Sequence, residues 1–178
     1  MGTWISETQE VWLVFGEDNI LWIASQPARY RIIDEGSIAI EPLNYKITNE
    51  GSIEVTKPEN GNTEQTEAVL KIALDNDTLS LPEAPVELYR QPTIENLRDK
   101  LIGSWQDTEG HTIEFGVDRA ISRGESNSYA VTQNLVLVGS YNPLLILSVD
   151  EQELATLNED GIVTNFQRIP DGSAQSSQ

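Results

Sequence analysis

Two short landmarks recur about a hundred residues apart, and they constrain the fold more than anything else in this chain. Gly2-Thr3-Trp4 is followed by Phe15-Gly16-Glu17-Asp18, and Gly103-Ser104-Trp105 is followed by Phe115-Gly116-Val117-Asp118. The Trp-to-Phe separation is 11 residues in the first copy and 10 in the second. Tyr30 then falls near Tyr129, and VLKIALDNDTL (Val69 to Leu79) aligns without a gap on LLILSVDEQEL (Leu144 to Leu154). Each copy ends on an aromatic-bearing segment with an arginine, Arg90 or Arg168. From Trp4 to Asp75 is 71 residues and from Trp105 to Asp150 is 45; the 26 extra residues of the first copy fall between Ile40 and Val69. A divergent duplication explains this pattern, so both halves must share one architecture.

That architecture reads as all-β. In the first half, Val11 to Asp18, Asn19 to Ser25, Arg29 to Asp34, Ser37 to Glu41, Tyr45 to Thr48, Ile53 to Thr56, Val69 to Leu74, Leu79 to Leu81 and Val86 to Arg90 read as strands. They are rich in β-branched and aromatic residues and are separated by Gly, Asn and Asp turn signals. Alternation along Arg29 to Asp34 breaks at Ile33. Lys57 to Thr66 has no apolar residue and reads as a loop. The second half repeats the plan in fewer residues, from Thr112 to Phe115 through Val163 to Ile169. Between them, Ile94, Leu97 and Leu101 form one apolar stripe after Pro92-Thr93, which predicts a helix over Pro92 to Ile102 with Thr93 as N-cap. The expected organisation is a first small barrel over residues 1–91, a linker helix over 92–102 that packs on one of the halves, a second, abbreviated barrel over 103–169, and a polar, disordered tail over 170–178.

A tryptophan on the first strand and an arginine on the last have a physical reason to occur together. Closing an antiparallel meander sets first and last strands side by side, which removes exposed edges. The guanidinium then stacks on the indole face, for roughly 0.5–2 kcal/mol. Trp4 with Arg90 and Trp105 with Arg168 are the expected closures. The G-x-W motif at the start of a first strand and the arginine near the end of the barrel resemble the lipocalin-like (calycin) proteins, through Gly2, Trp4 and Arg90 and again through Gly103, Trp105 and Arg168. The resemblance implies small antiparallel meander barrels, the second with little interior once side chains fill it, and carriage of a hydrophobic small molecule as one function to weigh.

Chemistry is harder to find. With 29 acidic and 11 basic residues the net charge is −18, which repels phosphate backbones and anionic lipid and favours a basic partner. There is no cysteine and one histidine, His111, so neither thiolate chemistry nor zinc or iron ligation is expected. His111 reads as a turn residue. Asp75-Asn76-Asp77 and Asn158-Glu159-Asp160-Gly161 do not fit a calcium loop and are explained by turn chemistry. No cofactor, no metal and no enzymatic activity are expected. Met1-Gly2-Thr3-Trp4-Ile5-Ser6 meets the loose myristoylation pattern, but Glu7 and Glu10 stand where a basic second signal belongs, and the repeat already accounts for Gly2. No leader and no run of 18 apolar residues is seen, so a soluble, cytoplasmic protein is expected.

The segments around Trp12 and Trp22 are apolar at nearly every position, where a half-buried strand should alternate. Either a partner covers their outer face or the rest of the chain does. Trp12, Trp22, Phe15 and Tyr30 are therefore the candidate binding residues. The expected function is non-catalytic protein binding, as an accessory or assembly factor using this aromatic hairpin; the alternative is carriage of a small hydrophobic ligand in the first barrel.

Overall fold

A computed structural model describes residues 2–16, 18–23, 26–34, 37–48, 53–56, 68–82, 86–139 and 143–170. The polar loop expected over Lys57 to Thr66 and nearly all of the C-terminal tail lie outside the described residues. The first half contributes β1 (Gly2–Ser6), β2 (Trp12–Phe15), β3 (Ile20–Ile23), β4 (Gln26–Asp34), β5 (Ser37–Pro42), β6 (Asn44–Ile47), β7 (Ile53–Thr56), β8 (Ala68–Lys71), β9 (Ala73–Asp75), β10 (Thr78–Leu81) and β11 (Val86–Gln91). The helix α1 (Leu97–Leu101) follows. The second half contributes β12 (Gly103–Asp107), β13 (Thr112–Phe115), β14 (Arg119–Ser122), β15 (Glu125–Thr132), β16 (Leu135–Val138), β17 (Leu144–Val149), β18 (Glu153–Leu157) and β19 (Val163–Ile169).

Strands β12 to β19 form a closed eight-stranded antiparallel meander. The first half is a nine-stranded sheet in the order β8-β5-β4-β3-β2-β1-β11-β10-β9. Its two edge strands, β8 and β9, are consecutive in the chain and separated only by Ile72. Residues 68–75 are thus one kinked strand, whose first part pairs with β5 and whose last part pairs with β10. The kink nearly closes the ring through the chain itself. In the second barrel β17 shifts register between Ile146 and Ser148, and Leu147 is the residue that aligns with Ile72. Both copies therefore bend at the same position, as a bulge in a small barrel must. The shorter copy keeps every strand of the ring. Its deficit is the hairpin β6–β7, an insertion after β5 in the first copy.

The alternation explains why some strands are apolar throughout. Leu13, Phe15 and Leu21 point into the first barrel's core with Trp4, Ile38, Leu79 and Leu88. Trp12, Val14 and Trp22 take the other face, where with Ile5 they pack on Leu135, Leu137, Leu145 and Leu157 of the second barrel. β16 mirrors this, sending Val136 and Val138 to its own core and Leu135 and Leu137 to the junction. The inserted hairpin lays Tyr45, Ile47 and Ile53 against the same junction. Tyr45 meets Trp22 edge-on, with centroids 5.0 Å apart.

The helix is shorter than its apolar stripe predicts, and Asn96 rather than Thr93 occupies the N-cap position, in the left-handed region at φ 54°. The cause is Asn134, whose side chain accepts from the Ile94 N–H (3.0 Å) and donates to the Pro92 carbonyl (2.8 Å). Those backbone groups are bonded across the chain, so the segment stays irregular until Leu97. The stripe is still put to use: Leu97 and Leu101 join the second barrel's core and Ile94 packs against it.

Candidate functional site

The paired landmarks meet in both halves. Trp4 stands opposite Arg90 across β1–β11, and Trp105 opposite Arg168 across β12–β19. The Arg90 guanidinium lies 5.6 Å from the Trp4 ring and that of Arg168 lies 4.1 Å from the Trp105 ring. Phe15 packs edge-on between Trp4 and Tyr30, each at 5.3 Å. Phe115 meets Tyr129 at the same 5.3 Å. Gly2 and Gly103 are part of this closure: a Cβ on Gly2 would sit 3.1 Å from the Trp4 ring, and one on Gly103 would collide with Arg168. Both have positive φ, which glycine adopts without strain.

The two ends differ in what lies over them. In the second barrel α1 is the plug. The Trp105 indole N–H donates to the Leu101 carbonyl at 2.7 Å, and Arg168 donates to the carbonyls of Lys100 (2.8 Å) and Ile102 (2.6 Å). The guanidinium thereby serves the orphan acceptors at a helix C-terminus. Arg98 of the helix stacks on Tyr129 at 4.8 Å. In the first barrel no described segment takes the place of α1. The Trp4 indole nitrogen is buried and has no hydrogen-bond partner. Arg90 bridges Asp77 at 3.7 Å in an exposed pair.

Exposure follows the same division. Trp105, Phe115 and Tyr129 are 0, 2 and 0% exposed, whereas Trp4 and Phe15 are 7 and 8% exposed and Tyr30 is only partly buried. Val131 and Val149 pack against the cluster that contains the helix leucines. The residues that align with them, Ile32 and Leu74, are 69% and 62% exposed. Ile32 and Leu74 are thus exposed apolar side chains at positions whose counterparts pack against the cluster that holds the helix leucines.

The four candidate residues therefore divide between two places. Trp12 and Trp22 are fully enclosed between the barrels, where they bind the other half of the chain. Phe15 and Tyr30 belong to the end of the first barrel that holds Trp4. No protein-family model, no curated protein and no solved structure matches this chain.

Two other features have local explanations. His111 lies in the turn after β12 and shares a hydrogen bond with Asp107 at 3.0 Å. Burial alone would raise the Asp107 carboxyl; hydrogen bonds from the His111 ring and from the His111 and Glu109 N–H groups outweigh it and hold the group below its ordinary range. This staple rims a cleft of about 540 Å3 at the end of the second barrel away from α1, lined by Ile113, Leu144 and Phe166 among others. Asp150 is held below its ordinary value by the N–H groups of Gln152 and Glu153. Asn134, which ties the linker to the second barrel, has no signal in the sequence beyond its place in a Gln-Asn turn. Among the described residues no group of three metal-ligating side chains occurs, and no helix is long and apolar enough to cross a membrane.

Proposed function

We propose that this chain is a non-catalytic, protein-binding module of lipocalin-like ancestry that takes its partner at the end of the first barrel where Ile32 and Leu74 are exposed. The observation that carries the reading is the exposure of Ile32 and Leu74 beside Trp4, Phe15 and Tyr30, at positions whose counterparts in the second barrel are covered. Exposed apolar side chains grouped around aromatic rings are what a protein interface core consists of. Leu21 and Leu88 of the first barrel's core have no accessible surface, so no water-sized space lies beside them, which favours a protein over a small hydrophobic ligand. The net charge of −18 favours a basic partner surface, steered to the site from a distance. The absence of cysteine fits work in a reducing cytoplasm.

Quantitative capture from the source cells, with wild-type chain and Leu74→Glu compared by mass spectrometry, tests this. A defined set of proteins retained by the wild type and lost with the variant is expected. Identical capture by both, or saturable binding of a fatty acid that quenches tryptophan fluorescence, contradicts it.

A further inference from the structure

We propose that the cleft at the end of the second barrel away from α1 binds the C-terminus of a partner polypeptide. Arg123 holds the terminal carboxylate, and the last apolar side chain rests on the cleft floor. The site lies on the other barrel from Ile32 and Leu74 and goes beyond the reading given for that end. The cleft measures about 540 Å3, within the range of about 300–1,000 Å3 typical of ligand pockets. Its floor is continuous with the barrel's interior: Ile113 is part of the core cluster and Phe166 packs against it. Ile162 and Val163 carry the apolar lining out to solvent, at 56% and 37% exposure. Ser122, Thr164 and Asn165 line it too, and their side chains make no hydrogen bond among the described residues. A peptide offers amide groups to those three side chains. An aliphatic chain would strip them of water and return no partner.

Arg123 supplies the charge. It occupies the first position of the two-residue turn between β14 and β15, with φ 53° before Gly124 at φ 78°. Such turns favour Asn-Gly, because the left-handed conformation crowds the Cβ of most residues. The turn gives no reason for an arginine, whereas the cleft it borders does. Arg119 of the same hairpin is bonded to Ser126. Arg123 is exposed and has neither a hydrogen bond nor an ion pair among the described residues. On the rim, Asp107 is engaged within its own turn: it accepts from the N–H groups of Glu109 (2.9 Å) and His111 (2.8 Å) and shares a hydrogen bond with the His111 ring (3.0 Å). The planar fork of a free guanidinium matches a carboxylate with two parallel hydrogen bonds. Glu109, also on the rim, suits a lysine or arginine a few residues before the peptide's end, as does the net charge of −18. The occupant is therefore a chain end with a free carboxylate on a valine, leucine or isoleucine and a basic residue upstream.

The probe is the pentapeptide acetyl-KGTVL with a free C-terminal carboxylate, titrated into the full chain and followed by amide NMR. The same peptide amidated at its C-terminus and decanoate are the comparisons. The Ser122, Arg123 and Asn165 resonances are expected to shift and saturate at millimolar peptide. The amidated peptide is expected to bind about tenfold or more weakly, as the loss of a charge-assisted pair requires. Arg123→Asn places the favoured residue in the turn, so the fold is kept and its urea midpoint is expected to rise. That variant is expected to bind the free-acid peptide about tenfold or more weakly, and no better than the amidated one. Ile162→Ser changes an exposed side chain and is expected to weaken both peptides. Leu74→Glu is expected to bind as the wild type does, so this site and the one on the first barrel can fail separately. No saturable shift with the free acid, equal affinity for acid and amide, or unchanged affinity in Arg123→Asn overturns the proposal. Decanoate that moves the same resonances at the same concentration would make the occupant an aliphatic acid and would also overturn it.

Discussion

At the scale of single residues, the closures are unequal, and the inequality is measurable. Arg168 stacks 4.1 Å from its indole and serves two helix carbonyls, whereas Arg90 lies 5.6 Å from its ring and beside an exposed aspartate. Arg168→Ala is expected to cost about 2–3 kcal/mol in urea unfolding, and Arg90→Ala about 1 kcal/mol or less. Arg168→Lys should not restore the loss, since an ammonium lacks the fork that reaches both carbonyls. The tryptophans divide similarly. Trp105→Phe removes a hydrogen bond and leaves the Leu101 carbonyl unpaired, for about 1–3 kcal/mol. Trp12→Phe removes a buried N–H that has no partner and should be near neutral in the same assay. Asp150 gives a pH dependence. Its folded pKa lies below the unfolded one, so its contribution is present above the ordinary carboxylate pKa and is lost as the pH falls through the lowered folded value. Asp150→Ala is expected to leave a shallower fall in stability across that acidic window than the wild type shows. The Trp–Arg register was legible in the sequence because it occurs twice. Asn134 was not, since one asparagine in a turn looks like any other until the groups it bonds, more than 40 positions away in the case of Pro92, are in view.

At the scale of elements, periodicity informed where a strand had one environment and misled where a segment had two. The break at Ile33 is real: β4 and β5 shift register between Ile32 and Asp34. Ile94, Leu97 and Leu101 do share a destination, but tertiary bonds to Asn134 keep residues 92–94 out of the helix. Asn134→Leu removes both bonds and leaves the Pro92 carbonyl and Ile94 N–H without them. Faster amide exchange throughout α1, with a loss of about 2 kcal/mol in global stability, is expected. The kinked strand over 68–75 could be aligned in the sequence with its counterpart, yet its role as the seam of the first barrel depends on partners in β5 and β10 that no local pattern encodes.

Across the whole molecule, the apolar faces of β2 and β3 announced that something covers them, and the cover is the second barrel. Which surface would do so was not written in either half alone, because complementarity between Trp12, Trp22 and the leucines of β16, β17 and β18 is a property of the pair. The junction runs from the turn at Gln9 and Glu10, which touches Gly161, to Gly16, which approaches Thr132. A Cβ placed on Gly16 would lie 3.4 Å from the Thr132 hydroxyl, so cysteines at the two positions would stand in contact across the junction. The natural chain has no cysteine to compete. Disulfide mapping by mass spectrometry of the oxidised Gly16→Cys/Thr132→Cys chain tests the docking of the two barrels most directly. One intramolecular 16–132 crosslink in monomeric protein is expected; two thiols that stay free for alkylation after oxidation would contradict the docked arrangement that encloses Trp12 and Trp22.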